Sequence, residues 1–336
     1  MHNIVLIGCG HMGAAHLDDI YLREDICVYG VVDIMEERAK LVAKKYNAKS
    51  YSTDFMCYMQ DENVDIIICA TYPSTHLQIL KECVKYNKHL LCEKPITANL
   101  EDGKEFVSIV NSASIKVQIG YILRYNETYQ RVAKMIQEGA IGSPIVLRMT
   151  QNHHTIEWGK YLALIKESSP IIDCGVHYID VCRWFTGAEV INVGGISLTT
   201  EKDVPQGKYN YGMITMKLSD GSVAYYESGW GNTIAADNTK EFVGPKGRIK
   251  IVQSQNRFFN KEEGDLIEYY NVENKEYKNI NINCKRRPTG AELDNLINMI
   301  ENNALSNPSI EDVYKSFEIA IKADNIIGPV RCCVKY

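Results

Sequence analysis

No run in this 336-residue sequence is apolar enough, for long enough, to span a bilayer. Long basic runs are missing too, and 37 Lys+Arg against 42 Asp+Glu leave a net charge of −5, which argues against nucleic acid or an anionic membrane as partner. None of the 11 cysteines forms a C-x-x-C pair, which removes the zinc ribbon and the thioredoxin-like site from consideration. H-E-x-x-H is absent as well. A metal hydrolase built from His153, His154, Asp173 and His177 therefore has no motif behind it, and no metal is expected. Internal repeats and low-complexity segments are not found. Met1–Gly8 carries no basic segment and too short an apolar run for a signal peptide, so a cytoplasmic location is expected.

What is present is ordinary globular composition, 45% apolar and 24% charged, in a chain long enough for a large core and two domains. Cys27, Cys69, Cys83 and Cys92 sit inside apolar runs and read as buried, reduced thiols. The vicinal pair Cys332-Cys333 reads as part of a last strand.

The run His89-Leu90-Leu91-Cys92-Glu93-Lys94-Pro95 is the organising stretch. Its apolar part fits a parallel strand buried on both faces. Glu93 and Lys94 then stand at the carboxyl end of that strand, where open α/β sheets bind their ligands. Pro95 removes a backbone donor and forces the turn. A lysine held there is a candidate acid, base or hydroxyl clamp; a surface Glu-Lys pair is the plain alternative.

At the amino terminus a strand, Asn3–Ile7, runs into Gly8-Cys9-Gly10-His11-Met12-Gly13 and then a helical pattern. This is G-x-G-x-x-G in its strand–turn–helix setting. Gly8 permits the tight turn, Gly10 lets a pyrophosphate approach the backbone, and Gly13 lets the helix pack on the strand. The helix start then offers free N–H groups to the phosphates. The next strand, Ile26–Val32, ends at Asp33, followed by Ile34. A carboxylate there accepts from ribose hydroxyls and repels a 2′-phosphate, which favours NAD over NADP. Asp33 also precedes a helical run and is placed to cap it. Thr71, Tyr72 and His76 fall in the loop after a third apolar run, bordering the cofactor; His76 can cap the following helix or touch the ribose.

Strands alternating with helices to Gly120 predict a doubly wound parallel sheet over residues 1–120. Residues 121–336 change pattern. A helix is expected at Glu127–Glu138, then strands Ile145–Gln151, Val190–Leu198, Tyr209–Leu218, Ser222–Gly229, Lys240–Gly244 and Arg248–Val252, with turns at Asp220-Gly221 and Pro245-Lys246-Gly247. These predict an α+β domain around a large, mainly antiparallel sheet. Its aromatics, Tyr209, Tyr211, Tyr225, Tyr226 and Trp230, suggest an interface between subunits or a core. Asn271–Asn283 reads as an edge strand or loop. One helix is expected over Asp173–Phe185, which puts Asp173 and His177 four residues apart on one face. Facing a cleft, such a pair can bind a hydroxyl and remove its proton. An N-cap at Asp173 and a satisfied histidine are the plain alternative.

The glycine loop, Asp33, the Thr71–His76 loop, Glu93-Lys94-Pro95 and Asp173-x-x-x-His177 occur in the order and spacing of one group. Over essentially its whole length the chain resembles the glucose–fructose oxidoreductase / inositol dehydrogenase / rhizopine-catabolism (Gfo/Idh/MocA) family of NAD(P)-dependent oxidoreductases. The resemblance implies a Rossmann domain and a sheet domain that supplies substrate and oligomer contacts, with helix 310–327 packing back toward the first domain. It implies Lys94 as the active-site lysine, followed by a proline often in a cis peptide, and Asp173 and His177 as the substrate carboxylate and catalytic histidine. Arg124, Tyr125, His153 and His154 fall where family members line the pocket.

The expected reaction is NAD-dependent oxidation of a ring secondary hydroxyl on a sugar, glycoside (with C3 preferred) or cyclitol, the cofactor being held tightly. Either His177 or Lys94 can accept the hydroxyl proton. The alternative within the family is a glycosidase or lyase that uses transient oxidation at C3. Expected partners are a small polyhydroxylated substrate and further copies of the chain, as a dimer or tetramer through the second sheet.

Overall fold

In the computed structural model, which describes residues 1–155, 158–254, 257 and 263–328, the chain divides into two units. The first is Met1–Tyr125 with Arg287–Tyr314; the second is Asn126–Arg286 with Lys315–Tyr336. Cys332 and Cys333 lie outside the described residues.

The first unit alternates strictly: β1 (His2–Ile7), α1 (His11–Ile20), β2 (Ile26–Val32), α2 (Glu36–Lys45), β3 (Ser50–Ser52), α3 (Met56–Met59), β4 (Ile66–Cys69), α4 (Pro73–Lys85), β5 (His89–Glu93), α5 (Leu100–Ser112) and β6 (Val117–Gly120), closed by a 3₁₀ turn, Ile122–Tyr125. All strands pair in parallel, in the order β3-β2-β1-β4-β5-β6. Order reverses between β1 and β4, which opens a crevice at their carboxyl ends. Strands β4 and β6 are buried at every residue, and β1 and β5 at all but their first residues. That is why they read as unbroken apolar runs rather than alternating ones.

The second unit opens with α6 (Glu127–Gln137) and β7 (Val146–His154), then α7 (Trp158–Glu167), α8 (Pro170–Asp173) and α9 (Gly175–Thr186). Asn126 caps α6, its Oδ1 accepting from Thr128 N and Tyr129 N at 3.0 and 3.2 Å. Strands β8 (Val190–Leu198), β9 (Tyr211–Leu218), β10 (Val223–Gly231), β11 (Lys240–Gly244), β12 (Gly247–Val252), β13 (Asp265–Asn271) and β14 (Glu276–Ile282) complete the sheet. Its order is β14-β13-β12-β11-β7-β10-β9-β8. All neighbours are antiparallel except β7 and β10, which run parallel at the centre. Helix α9 packs on this sheet: Tyr178 stacks on Tyr226 at 4.7 Å and Phe185 meets Phe242 edge-on at 5.2 Å. Of the five aromatics flagged in the sequence, Tyr209, Tyr226 and Trp230 are core residues, at most 3% exposed. The guanidinium of Arg183 donates to both carboxylate oxygens of Glu189, at 2.8 and 3.0 Å, and with Lys315 holds that carboxyl down at about 2.

Helix α10 (Thr289–Asn302) returns to the first unit, and α11 (Ile310–Ile327) follows, the division between units falling after its Tyr314. Leu293 and Leu296 of α10 are fully buried in the core of the first unit. Each such burial contributes roughly 2 kcal/mol, which accounts for the return.

Two local expectations change. The Asp173–Phe185 segment is not one helix: α8 ends at Asp173 and α9 starts at Gly175, with His177 N bonded to Cys174 O at 3.2 Å. The cap lies upstream, where Ser169 Oγ accepts from Ile172 N at 3.1 Å. Asp33 is not the cap of α2; Met35 holds that position.

Candidate active site residues

In the first unit the glycines behave as three different devices. Gly8 has φ +97°, and a Cβ there would lie 2.4 Å from Ala70 O. At Gly13 a Cβ would lie 2.0 Å from Gly8 O. Gly10, by contrast, faces open space, with nothing within 4 Å of an added Cβ, and it starts α1 without a side-chain cap. Open space in front of uncapped helix N–H groups fits a pyrophosphate. His11 and Met12 follow in the first turn of α1; the His11 ring contacts the guanidinium of Arg287.

Asp33 stands at the carboxyl end of β2, 7% exposed. Its Oδ2 accepts from Cys9 N at 3.0 Å and its Oδ1 from Met35 N at 2.9 Å, so it braces the glycine loop. Arg38 approaches the same Oδ2 at 3.3 Å. Beside it, Ile34 is exposed. After β4, the Thr71 and Thr75 hydroxyls meet at 2.7 Å, and Tyr72, half-exposed, holds the N-cap position of α4. His76 is fully buried: its Nδ1 lies 3.0 Å from Pro95 O and its Nε2 3.3 Å from Thr71 O. It therefore ties the β4 loop to the turn after β5 from inside the unit. Burial pushes its pKa down, but Cys69 and the Thr71 and Pro95 carbonyls outweigh that and raise it.

Glu93 ends β5, buried, with its Oε1 2.8 Å from His16 Nε2. Lys94 follows, half-buried, and the Lys94–Pro95 peptide is cis. Arg124 and Tyr125 lie in the 3₁₀ turn after β6, which is part of the first unit. The Tyr125 hydroxyl donates to Asn307 O at 2.6 Å, and burial, with Glu292 nearby, pushes its pKa well up.

In the second unit, β7 runs out at Asn152, His153 and His154, alongside Gly229–Gly231 of β10. His153 Nδ1 lies 3.4 Å from the Tyr161 hydroxyl, and Tyr161 packs edge-on against Trp230 at 5.6 Å. A cavity of about 140 Å³ is lined by Gln151, Asn152, His153, His154, Asp237 and Arg286, among others. Asp173 and His177 are both half-buried, on either side of the break at Cys174, whose Sγ donates to Asp173 Oδ2 at 3.3 Å. The residue after His177, Tyr178, carries Lys240 Nζ over its ring at 4.6 Å. Lys240 is fully buried, and burial pushes it down to about 7. Its ammonium donates to Thr150 O, Asn238 Oδ1 and Thr239 O, and the nearby Asp237 and Cys174 work against that push. Lys240, Tyr161 and His16 carry no motif. Their signal is only a polar residue at a position the apolar pattern buries.

A parallel sheet in this order, with an open glycine turn and an aspartate closing β2, defines a dinucleotide-binding unit, here joined to an eight-stranded sheet. Residues 2–121 match the model of the oxidoreductase family with NAD-binding Rossmann fold. Residues 129–250 match the GFO/IDH/MocA C-terminal domain. The chain belongs to the GFO/IDH/MocA family and is an NAD-binding oxidoreductase. It is 25% identical to myo-inositol 2-dehydrogenase of Thermotoga maritima over 248 residues, 73% of this chain and 74% of that one. It is also 25% identical to scyllo-inositol 2-dehydrogenase (NAD(+)) of Bacillus subtilis, covering 73% and 72%. Among solved structures, scyllo-inositol dehydrogenase of Lactobacillus casei with bound NAD(H) and scyllo-inositol aligns at TM-score 0.77, with 21% identity and 97% of each chain covered. UDP-N-acetylglucosamine 3-dehydrogenase of Acidithiobacillus ferrooxidans aligns at 0.79, with 19% identity over 97% and 98%. These two likenesses describe the fold.

Proposed function

We propose that the chain oxidises one secondary hydroxyl of a cyclitol to the corresponding inosose. The observation that carries the reading is Lys94, half-buried at the carboxyl end of β5 on the same sheet edge as the glycine loop. It sits in a chain several of whose relatives are named inositol 2-dehydrogenases. Gly8, Gly10, Gly13, Asp33, Ile34, Thr71 and Tyr72 would hold the dinucleotide, with backbone contributions from His11 and Met12. His76 and Glu93 act from beneath. The bound nicotinamide supplies the hydride acceptor.

The chain's own residues do the rest. The Lys94 ammonium donates to the reacting oxygen and favours its alkoxide character. His177 takes the hydroxyl proton, histidine being the side chain suited to gain and lose a proton near neutral pH. Asp173 accepts from a neighbouring hydroxyl and fixes which carbon reacts. Arg124, Tyr125, His153 and His154 add polar groups that favour substrates with matching hydroxyls. The exposed Ile191, Ile196 and Leu198 of β8 support assembly of copies through the second sheet.

A panel of myo- and scyllo-inositol, free sugars and glycosides with NAD, read by both NADH formation and product mass, tests the substrate. The expected product is a cyclitol minus two hydrogens. Activity confined to acyclic alcohols would sink the reading, and aglycone release without net NADH would replace it with transient oxidation of a glycoside.

NAD is expected to be preferred over NADP, because the Asp33 carboxylate repels a 2′-phosphate. Asp33→Ser removes that charge and also frees Arg38 to meet a phosphate. The kcat/KM ratio of NAD to NADP should narrow roughly tenfold, the size of one charge contact of about 1.4 kcal/mol. A wild-type protein faster with NADP would overturn this.

A further inference from the structure

Behind Lys94 the first unit buries three titratable side chains against one another. His16 of α1 is 1% exposed, Glu93 of β5 6% and Glu292 of α10 0%. One polar atom of each lies within 4.8 Å of the other two. The His16–Glu93 contact is 2.8 Å, whereas neither oxygen of Glu292 has a hydrogen-bond partner among the described residues. An ionised carboxylate without partners, fully buried beside a second one, is among the costliest arrangements a protein can hold. Two carboxyls this close resolve the cost by keeping a proton. A protonated Glu292 gains an O–H with which to donate to Glu93, and Glu93 keeps its contact with His16 Nε2.

The other groups around Glu292 point the same way. Asp19 of α1 adds negative charge and is itself held by Thr289 Oγ1 and Gly290 N, both at 2.9 Å. Tyr125 of the 3₁₀ turn stays neutral. From β6, Gly120 leaves only 3.1 Å between an added Cβ and the Glu93 carboxylate, so that wall is closed. Burial first, then Glu93 and Asp19, raise Glu292 well above the ordinary carboxylate range.

We propose that Glu292 and Glu93 hold a single proton between them, and that with His16 this cluster positions Lys94 for reaction. Glu93 is the chain neighbour of Lys94, so fixing its side chain between α1 and α10 fixes where the lysine leaves the strand. His16 and Glu292 are positioning residues in this account, which rests on the role given to Lys94 above.

The test begins on the protein without substrate. Infrared spectra of the wild type should contain a protonated-carboxyl stretch at neutral pH that Glu292→Gln abolishes. The stability sign follows from the same proton. A folded-state value above the ordinary 4.5 means that stability from this group is complete below that pH and is lost as pH rises toward the folded value. The wild-type Tm should therefore fall with rising pH, and Glu292→Gln should flatten that slope.

In kinetics, Glu292→Gln, a neutral isostere, keeps kcat within about threefold at neutral pH and moves the alkaline limb upward. Glu292→Leu, which leaves Glu93 with His16 alone, lowers kcat by about tenfold or more with KM within about threefold. An unchanged infrared band in Glu292→Gln, or stoichiometric metal that co-purifies with the wild type and is lost in that variant, overturns the shared proton. Equal kcat losses in the Gln and Leu variants at every pH overturn the positioning. Should Lys94→Ala keep full activity, the functional reading falls, while the infrared arm still decides the proton.

Discussion

Replacing Lys94 by alanine is expected to lower kcat about 10³-fold while leaving the NAD Kd within about threefold. The substitution removes an ammonium at the carboxyl end of β5 without touching what shapes that end. Glu93 remains clamped by His16 at 2.8 Å, and Pro95 O remains on His76 at 3.0 Å. The glycine loop and Asp33 hold the dinucleotide from β1 and β2, so cofactor titration should barely change. His177→Ala should produce a loss of similar size. The double variant should be little worse than either single one, because a proton acceptor and an oxygen-orienting cation act on one transition state and their removal is not additive. Single-turnover rates on the best cyclitol, with NAD binding followed by fluorescence, separate the two effects. A Lys94→Ala protein with near-normal kcat would show that the site has been assigned to the wrong residue.

The parts of this molecule that could be read from sequence are those whose physics is local. Strands β1, β2, β4 and β5 are wholly or mostly buried, so they appear as apolar runs; Ile26–Val32 has its observed limits in the sequence pattern alone. The glycine turn and Asp33 are fixed by spacing within one βαβ unit, and Lys94 by a proline that must end a strand. Helix α10 escaped notice because its buried stripe, Thr289, Glu292, Leu293, Leu296 and Met299, includes a carboxylate and a hydroxyl where apolar residues are sought. Strand β13 has no counterpart in the sequence pattern, whereas β14 falls within Asn271–Asn283, read there as an edge strand or loop, and its polar alternation suits the open edge of the sheet.

The cluster behind Lys94 was out of reach for a different reason. His16 and Glu93 are 77 residues apart in the chain, and no spacing rule connects a helix after the first strand to the end of the fifth. Glu292 joins them only because α10 returns to the first unit. The Asp173–His177 pair shows an intermediate case. Four-residue spacing was visible, but the break at Cys174 was not, since Cys174 keeps helical dihedrals and only the bonding pattern changes.

The second large effect concerns the glycine loop, where three substitutions that look alike should behave differently. Gly10→Ala adds a methyl group that meets nothing within 4 Å in the protein, so Tm should stay within about 1 °C of wild type, as for other strain-free surface changes. The same methyl fills the open space through which a pyrophosphate reaches the backbone, and NAD affinity should fall about 100-fold, close to 2.7 kcal/mol. Gly13→Ala puts its Cβ 2.0 Å from Gly8 O, a backbone atom that cannot turn aside. Helix α1 must shift, and both Tm and NAD binding should drop. Gly8→Ala combines a 2.4 Å approach to Ala70 O with a φ of +97°, a conformation alanine reaches only at a cost of about 1–3 kcal/mol, and should be the least stable of the three. Thermal melts and NAD titrations on the three variants separate a turn needed for folding from a gap needed for the ligand. If Gly10→Ala binds NAD as tightly as wild type, the pyrophosphate does not pass Gly10, and the dinucleotide contacts assigned to this loop must be redrawn.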